Sequence, residues 1–110
     1  MELGLMNRVA VVTGGSEGIG KAAACSLAAE GANVIILART QSKLDSALQE
    51  IRSTAVGKVE AISCDVTDQD AVTRTFSDIL NKWGKVDILV NNAGSGNANG
   101  FDDITDVMLN

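Results

Sequence analysis

The 110-residue sequence predicts an α/β fold, a doubly wound parallel sheet with four strands in the order 3-2-1-4. Three observations predict it. Short apolar runs alternate with helical segments of ten or more residues, a pattern that leads to parallel pairing through right-handed crossovers. The first run, Val9-Ala10-Val11-Val12, opens directly into the glycine-rich turn Thr13-Gly14-Gly15-Ser16-Glu17-Gly18-Ile19-Gly20. The fourth run closes on Asn91-Asn92-Ala93-Gly94. Both turns then fall beyond the C-terminal strand ends where the strand order reverses, the usual crevice for a ligand.

The elements follow in order. Arg8 to Thr13 reads as a strand buried on both faces. Ile19 to Glu30 reads as a helix with Ile19, Ala23 and Leu27 at core spacing, and Gly31 is its stop. Asn33 to Ala38 is the second strand. Thr40 or Ser42 caps a helix whose Leu44, Leu48 and Ile51 repeat at helical spacing, and Gly57 ends that region. Val59 to Cys64 is the third strand. Thr67-Asp68-Gln69-Asp70 starts a third helix, with a stripe of Val72, Phe76, Ile79, Leu80 and Trp83 and a stop at Gly84. Val86 to Val90 is the fourth strand. Ser95 to Gly100 is a loop, and Asp102 to Asn110 is expected to begin another helix. In the 3-2-1-4 order the first two helices cover one face of the sheet and the third covers the other.

Composition bounds the rest. The length suits one domain, residues 1–110, with a modest core. Nine Lys and Arg against fourteen Asp and Glu give a net charge of -5, and the basic residues are scattered, which argues against nucleic acid. No apolar run approaches the roughly 20 residues that span a bilayer, and Met1 to Arg8 lacks a secretory pattern. A cytoplasmic protein without membrane contact is expected. Cys25 and Cys64 have no metal-site spacing and are expected to be free, buried thiols. No metal site is expected.

A strand, a glycine turn and a helix aim backbone N–H groups at an anion, usually a phosphate. The same turn can also serve as a tight connection without a ligand. Its spacing, Thr13-Gly14-x-x-x-Gly18-x-Gly20, differs from the commonest dinucleotide fingerprint, so its surroundings decide. Together with Cys64-Asp65-Val66 after the third strand and Asn91-Asn92-Ala93-Gly94 after the fourth, it resembles the classical short-chain dehydrogenase/reductase family, along essentially the whole chain.

That resemblance implies a Rossmann-type fold, a dinucleotide cofactor, and hydride transfer to or from a carbonyl or alcohol. It places Gly14, Ser16, Gly18 and Ile19 along the pyrophosphate and gives Gly20 to helix packing. Asp65 and Val66 would flank the adenine, Asp65 accepting from its amino group or serving only as a turn carboxylate. Asn92, Ala93 and Gly94 would pass beneath the adenine-side ribose, while Asn91 either ties strands together or touches the ligand. Relatives that bind NAD usually end the second strand with an acidic residue. Here Ala38, Arg39 and Thr40 stand there instead, so a guanidinium can take a 2′-phosphate and NADP is expected over NAD. Arg39 could equally be a solvated loop residue. Glu17 departs from this pattern, since its charge opposes phosphate unless it points to solvent.

The family's acid/base chemistry rests on a Tyr-x-x-x-Lys pair, and this chain contains no tyrosine. No catalytic residue is therefore assigned. The chain resembles the first two-fifths of a family member and is expected to be truncated, inactive alone and a weak binder. Besides the cofactor-binding portion of an oxidoreductase, two other readings stand. One is a non-catalytic half-Rossmann nucleotide module. The other is a fragment that associates with a full-length relative, or oligomerises, through an open edge on the fourth strand.

Overall fold

Runs of Val, Ile and Leu that no polar residue interrupts become the centre of a sheet, because each strand must be covered on both faces. The computed structural model describes residues 4–92 and the backbone of Val107–Leu109. Its strands are β1 (Val9–Thr13), β2 (Asn33–Ala38), β3 (Val59–Ser63), β4 (Ile88–Asn91) and β5 (Val107–Leu109). Its helices are α1 (Gly18–Ala29), α2 (Gln41–Arg52) and α3 (Gln69–Trp83). The sheet order is β3-β2-β1-β4-β5, and the first four strands are parallel, in the order expected.

The two faces bury different residues of the same strands. Ala10, Val12, Val34 and Ile36 pack with Ala24, Ala28, Leu44, Ala47 and Ile51, so α1 and α2 share one face. Val9, Val11, Ile35 and Leu37 pack with Ile79 of α3 on the other. Ile35, Ile36 and Leu37 are fully buried, each contributing about 1.5–3 kcal/mol of hydrophobic stabilisation.

Five expectations need correction. The buried face of α1 is Gly20, Ala24 and Ala28, and Ile19 is half exposed. A helix packed closely on a sheet presents its smallest side chains, so Ala23 and Leu27 are only partly buried at the margin of that core and Ile19 lies outside it. In α3, Thr75 and Ile79 are buried, Val72, Phe76 and Trp83 are half-buried, and Leu80 is exposed. Cys25 is only half-buried, although both cysteines are free as expected. Thr40 sits at the N-cap of α2 but makes no side-chain cap bond.

The last correction concerns the C-terminal segment. Instead of a helix start, Val107–Leu109 pairs antiparallel with Ile88–Val90 as β5. This supplies β4 with a neighbour on the edge expected to be open, and its outward N–H and C=O groups gain partners. Ala93 and Gly94 lie outside the described residues, as do residues 95–100, where a loop is expected.

At the end of the sheet away from the glycine turn, Asp87 joins β1 to β4. Its Oδ2 accepts from the Val9 amide at 2.8 Å and its own amide donates to Val9 O at 2.8 Å. Lys85 Nζ lies 3.0 Å from Oδ2, and Arg8 lies 3.8 Å from Oδ1. The Val9 hydrogen bond, helped by Lys85 and Arg8, holds this carboxyl below the ordinary aspartate value against the opposing push of desolvation. Because the folded pKa is the lower one, the stabilisation is complete above the unfolded value of about 3.9 and is lost as pH falls through the folded value. Asp87→Ala should cost about 2 kcal/mol at pH 7 in urea denaturation, with a smaller deficit at acid pH. An equal deficit at pH 7 and pH 3 would contradict this.

Candidate functional site

The C-terminal ends of β1, β2 and β3 border a cleft of about 390 Å³. Register sets this arrangement, since Thr13 pairs with Leu37 and Ala38 pairs with Ser63. Gly14, Ser16 and Glu17 supply one wall, Leu37 to Thr40 with Lys43 the second, and Cys64 to Thr67 the third. Of the residues picked out in the sequence, Gly14, Ser16, Arg39, Asp65 and Val66 meet here.

The glycine turn leaves β1 while still attached to β2, because the Gly14 and Gly15 amides donate to Leu37 O at 2.8 and 3.3 Å. Gly18 adopts φ +57°, and a Cβ built there would meet nothing within 4 Å. Open space therefore lies before the start of α1. The N-cap residue Glu17 makes no side-chain cap bond to this helix. Gly20 serves packing, since a Cβ there would lie 2.1 Å from Gly14 O. Ile19, in the first turn of α1, stays half exposed at 50%.

Asn91 and Asn92 reach the turn from β4. The Thr13 hydroxyl lies 3.0 Å from Asn91 Oδ1 and accepts from the Asn92 amide at 2.9 Å. Asn91 thus ties two strand ends together. The Asn92 side-chain amide sits against Gly20, 2.9 Å from the position of an added Cβ.

Asp65 is a turn carboxylate that also lines the cleft. Its Oδ1 accepts from the Thr67 hydroxyl at 2.6 Å and the Thr67 amide at 2.9 Å. These two bonds, hydroxyl first, hold the carboxyl below the ordinary aspartate value. Desolvation opposes them, and the Arg39 charge across the cleft adds to them. Arg39 is exposed, and its backbone is fastened by Ser63 Oγ, which donates to Arg39 O at 3.1 Å. Glu17 points outward at 67% side-chain exposure and forms an ion pair with Lys43 at 3.3 Å.

The sequence reading missed Lys43. The available signal was a basic residue in the first turn of α2, where an acidic one would suit the helix dipole better. Among the described residues there is no group of three His, Cys, Asp or Glu side chains that could hold a metal, and no helix is long and apolar enough to cross a membrane.

A family model described as short chain dehydrogenase matches residues 8–109. The chain belongs to this family. Short chain dehydrogenase/reductase dpchG of Colletotrichum higginsianum is 39% identical over 106 residues, covering 96% of this chain and 38% of the relative. L-Sorbose reductase from Gluconobacter frateurii, solved with NADPH and L-sorbose, superposes with a TM-score of 0.81 at 36% identity, over 88% of this chain and 37% of that one. NAD+-bound xylitol dehydrogenase superposes with a TM-score of 0.79 at 34% identity, over 84% of this chain and 35% of that one. The chain therefore spans about two-fifths of the length of the relatives it matches. In this chain the β1 turn and the β2 and β3 ends surround one cleft.

Proposed function

We propose that this chain is the dinucleotide-binding portion of an oxidoreductase that moves hydride between NADP(H) and a carbonyl or alcohol. The observation that supports the reading is the cleft itself, where an open helix start, a guanidinium and an ionised carboxylate face one another. The residues present fit such a cofactor. Ser16, Gly18 and Ile19 offer backbone and hydroxyl donors to a pyrophosphate, and Gly14, whose own amide is held by Leu37 O, lets it approach closely. Asp65, kept charged at neutral pH, accepts from the adenine amino group with the oxygen that Thr67 leaves, and Val66 packs on the ring. The family resemblance assigns Asn92, Ala93 and Gly94 to the adenine-side ribose.

Arg39 takes the 2′-phosphate in a charge-assisted, bidentate bond, so NADP is bound in preference to NAD. The cofactor supplies the hydride when bound. The chain's own residues bind and orient it, and with no tyrosine among 110 residues they include no phenol to move the accompanying proton. Solved relatives with NADPH and with NAD+ are both similar to this chain, so the preference rests on Arg39 and the missing acidic residue.

Titrating the 15N-labelled chain with NADPH tests the assignment. Amide shifts should concentrate at Gly14, Ser16, Gly18, Arg39, Asp65 and Val66, while absorbance at 340 nm stays constant on adding carbonyl substrates. Shifts centred elsewhere, or none at millimolar NADPH, would remove the assignment.

A further inference from the structure

Lys43 does not belong to the glycine turn, the β2 terminus or the Asp65 turn, yet it lines the same cleft. Its Nζ lies 3.3 Å from Glu17 Oε2 and 3.4 Å from Oε1, joining the first turn of α2 to the N-cap of α1. Two observations set it apart from an ordinary surface lysine.

The first is helix electrostatics. α2 has no acidic residue in its first turn and no side-chain cap, whereas α3 has Asp68 as its cap and Asp70 in its first turn. A cation in the first turn of a helix opposes the macrodipole. Lys43 is thus in an unfavourable place on its own helix, and the Glu17 carboxylate offsets this from the neighbouring one.

The second is the charge of the cleft. Its charged lining residues are Arg39, Lys43, Glu17 and Asp65. Arg39 alone against two carboxylates would leave an excess negative charge and repel a phosphate. Lys43 removes that excess. Lys21, the other lysine near Glu17, is engaged at 3.1 Å with Glu50 of α2.

Resting on the reading of the cleft as a nucleotide site, we infer that Lys43 is a second cation for the 2′-phosphate and that Glu17 is its internal competitor. Without a ligand, Glu17 holds Lys43 over the N-terminus of α2. A 2′-phosphate brings close to two negative charges and three acceptor oxygens, and it draws the ammonium away from a single exposed carboxylate. The exchange costs little, because ion pairs at 54% and 67% side-chain exposure are weak. A nucleotide without that phosphate leaves Lys43 on Glu17 and gains nothing. Glu17, which opposed the preference for NADP in the sequence, thus becomes a device that keeps Lys43 from acting on nucleotides lacking the phosphate.

The test is calorimetric titration of the full 110-residue chain with 2′,5′-ADP and with ADP. Lys43→Met should weaken 2′,5′-ADP about tenfold and leave ADP within about twofold. Lys43→Arg should restore most of the loss. Glu17→Gln should tighten 2′,5′-ADP about threefold or more beyond any gain seen for ADP. Equal effects of Lys43→Met on the two ligands, no rescue by arginine, or weaker 2′,5′-ADP binding by Glu17→Gln would each overturn the inference while the nucleotide site stands. Failure of the unsubstituted chain to bind ADP would overturn that site and the inference with it. Because both residues are exposed, the ADP arm also reports that each variant is folded.

Discussion

Gly20→Ala is expected to destabilise the chain by about 3 kcal/mol, a large part of the roughly 5–15 kcal/mol that holds a domain of this kind together. The added Cβ would stand 2.1 Å from Gly14 O and 2.8 Å from Gly14 C. Neither is the end of a flexible side chain, so α1 and the glycine turn must separate. Gly57→Ala provides the comparison, because its Cβ would meet Ala32 O at 1.9 Å and Ala32 C at 2.6 Å in a loop outside the cleft. Both variants should unfold at much lower urea concentrations. At low temperature, where part of each population stays folded, Gly57→Ala should keep its nucleotide affinity per folded molecule and Gly20→Ala should lose it. An unchanged urea midpoint for Gly20→Ala would mean that α1 does not pack against the Gly14 backbone.

The contrast between these two glycines shows what the sequence makes legible. Gly20 is readable through the family resemblance, which gives it to helix packing, and the order of strands and helices fixes where its turn lies. Gly57 marks only the end of a region, and its close approach to Ala32 becomes visible with the coordinates. The strand order was legible because apolar β-branched runs alternated with helix-length segments.

Helix faces were less legible. The α1 sequence is rich in alanine on several sides, so spacing alone does not separate Ile19, Ala23 and Leu27 from Gly20, Ala24 and Ala28. Close packing on the sheet decided between them. Thr75 was not expected in the core because composition alone gave it no apolar signal. Asp87 and Lys43 were missed because their partners, Val9 and Glu17, are distant in sequence and meet only through the sheet and the α1–α2 packing. β5 was missed because its pairing depends on the free edge of β4, a long-range circumstance that the mixed composition of residues 102–110 does not reveal.

Arg39 carries the largest expected effect on ligand choice. Its backbone is held by Ser63 Oγ and the neighbouring Ala38 O accepts from the Cys64 amide, so truncating the side chain leaves the β2 terminus in place. A charge-assisted bond from a guanidinium to a phosphate is worth about 1.5–3 kcal/mol, or roughly tenfold to a hundredfold in affinity. Asp65 would lose the support of the Arg39 charge but keep both Thr67 hydrogen bonds, the larger causes of its low pKa. The adenine contact proposed for it should therefore survive.

In the proposed function the β1–β2–β3 cleft reads the adenosine end of a 2′-phosphorylated dinucleotide. The most direct measurement is the ratio of NADPH to NADH affinity, by fluorescence titration, for the chain and for Arg39→Ala. The ratio should lie well above one and fall by about tenfold or more in the variant, with NADH affinity within about twofold. Equal losses for both nucleotides, or an unchanged ratio, would contradict it.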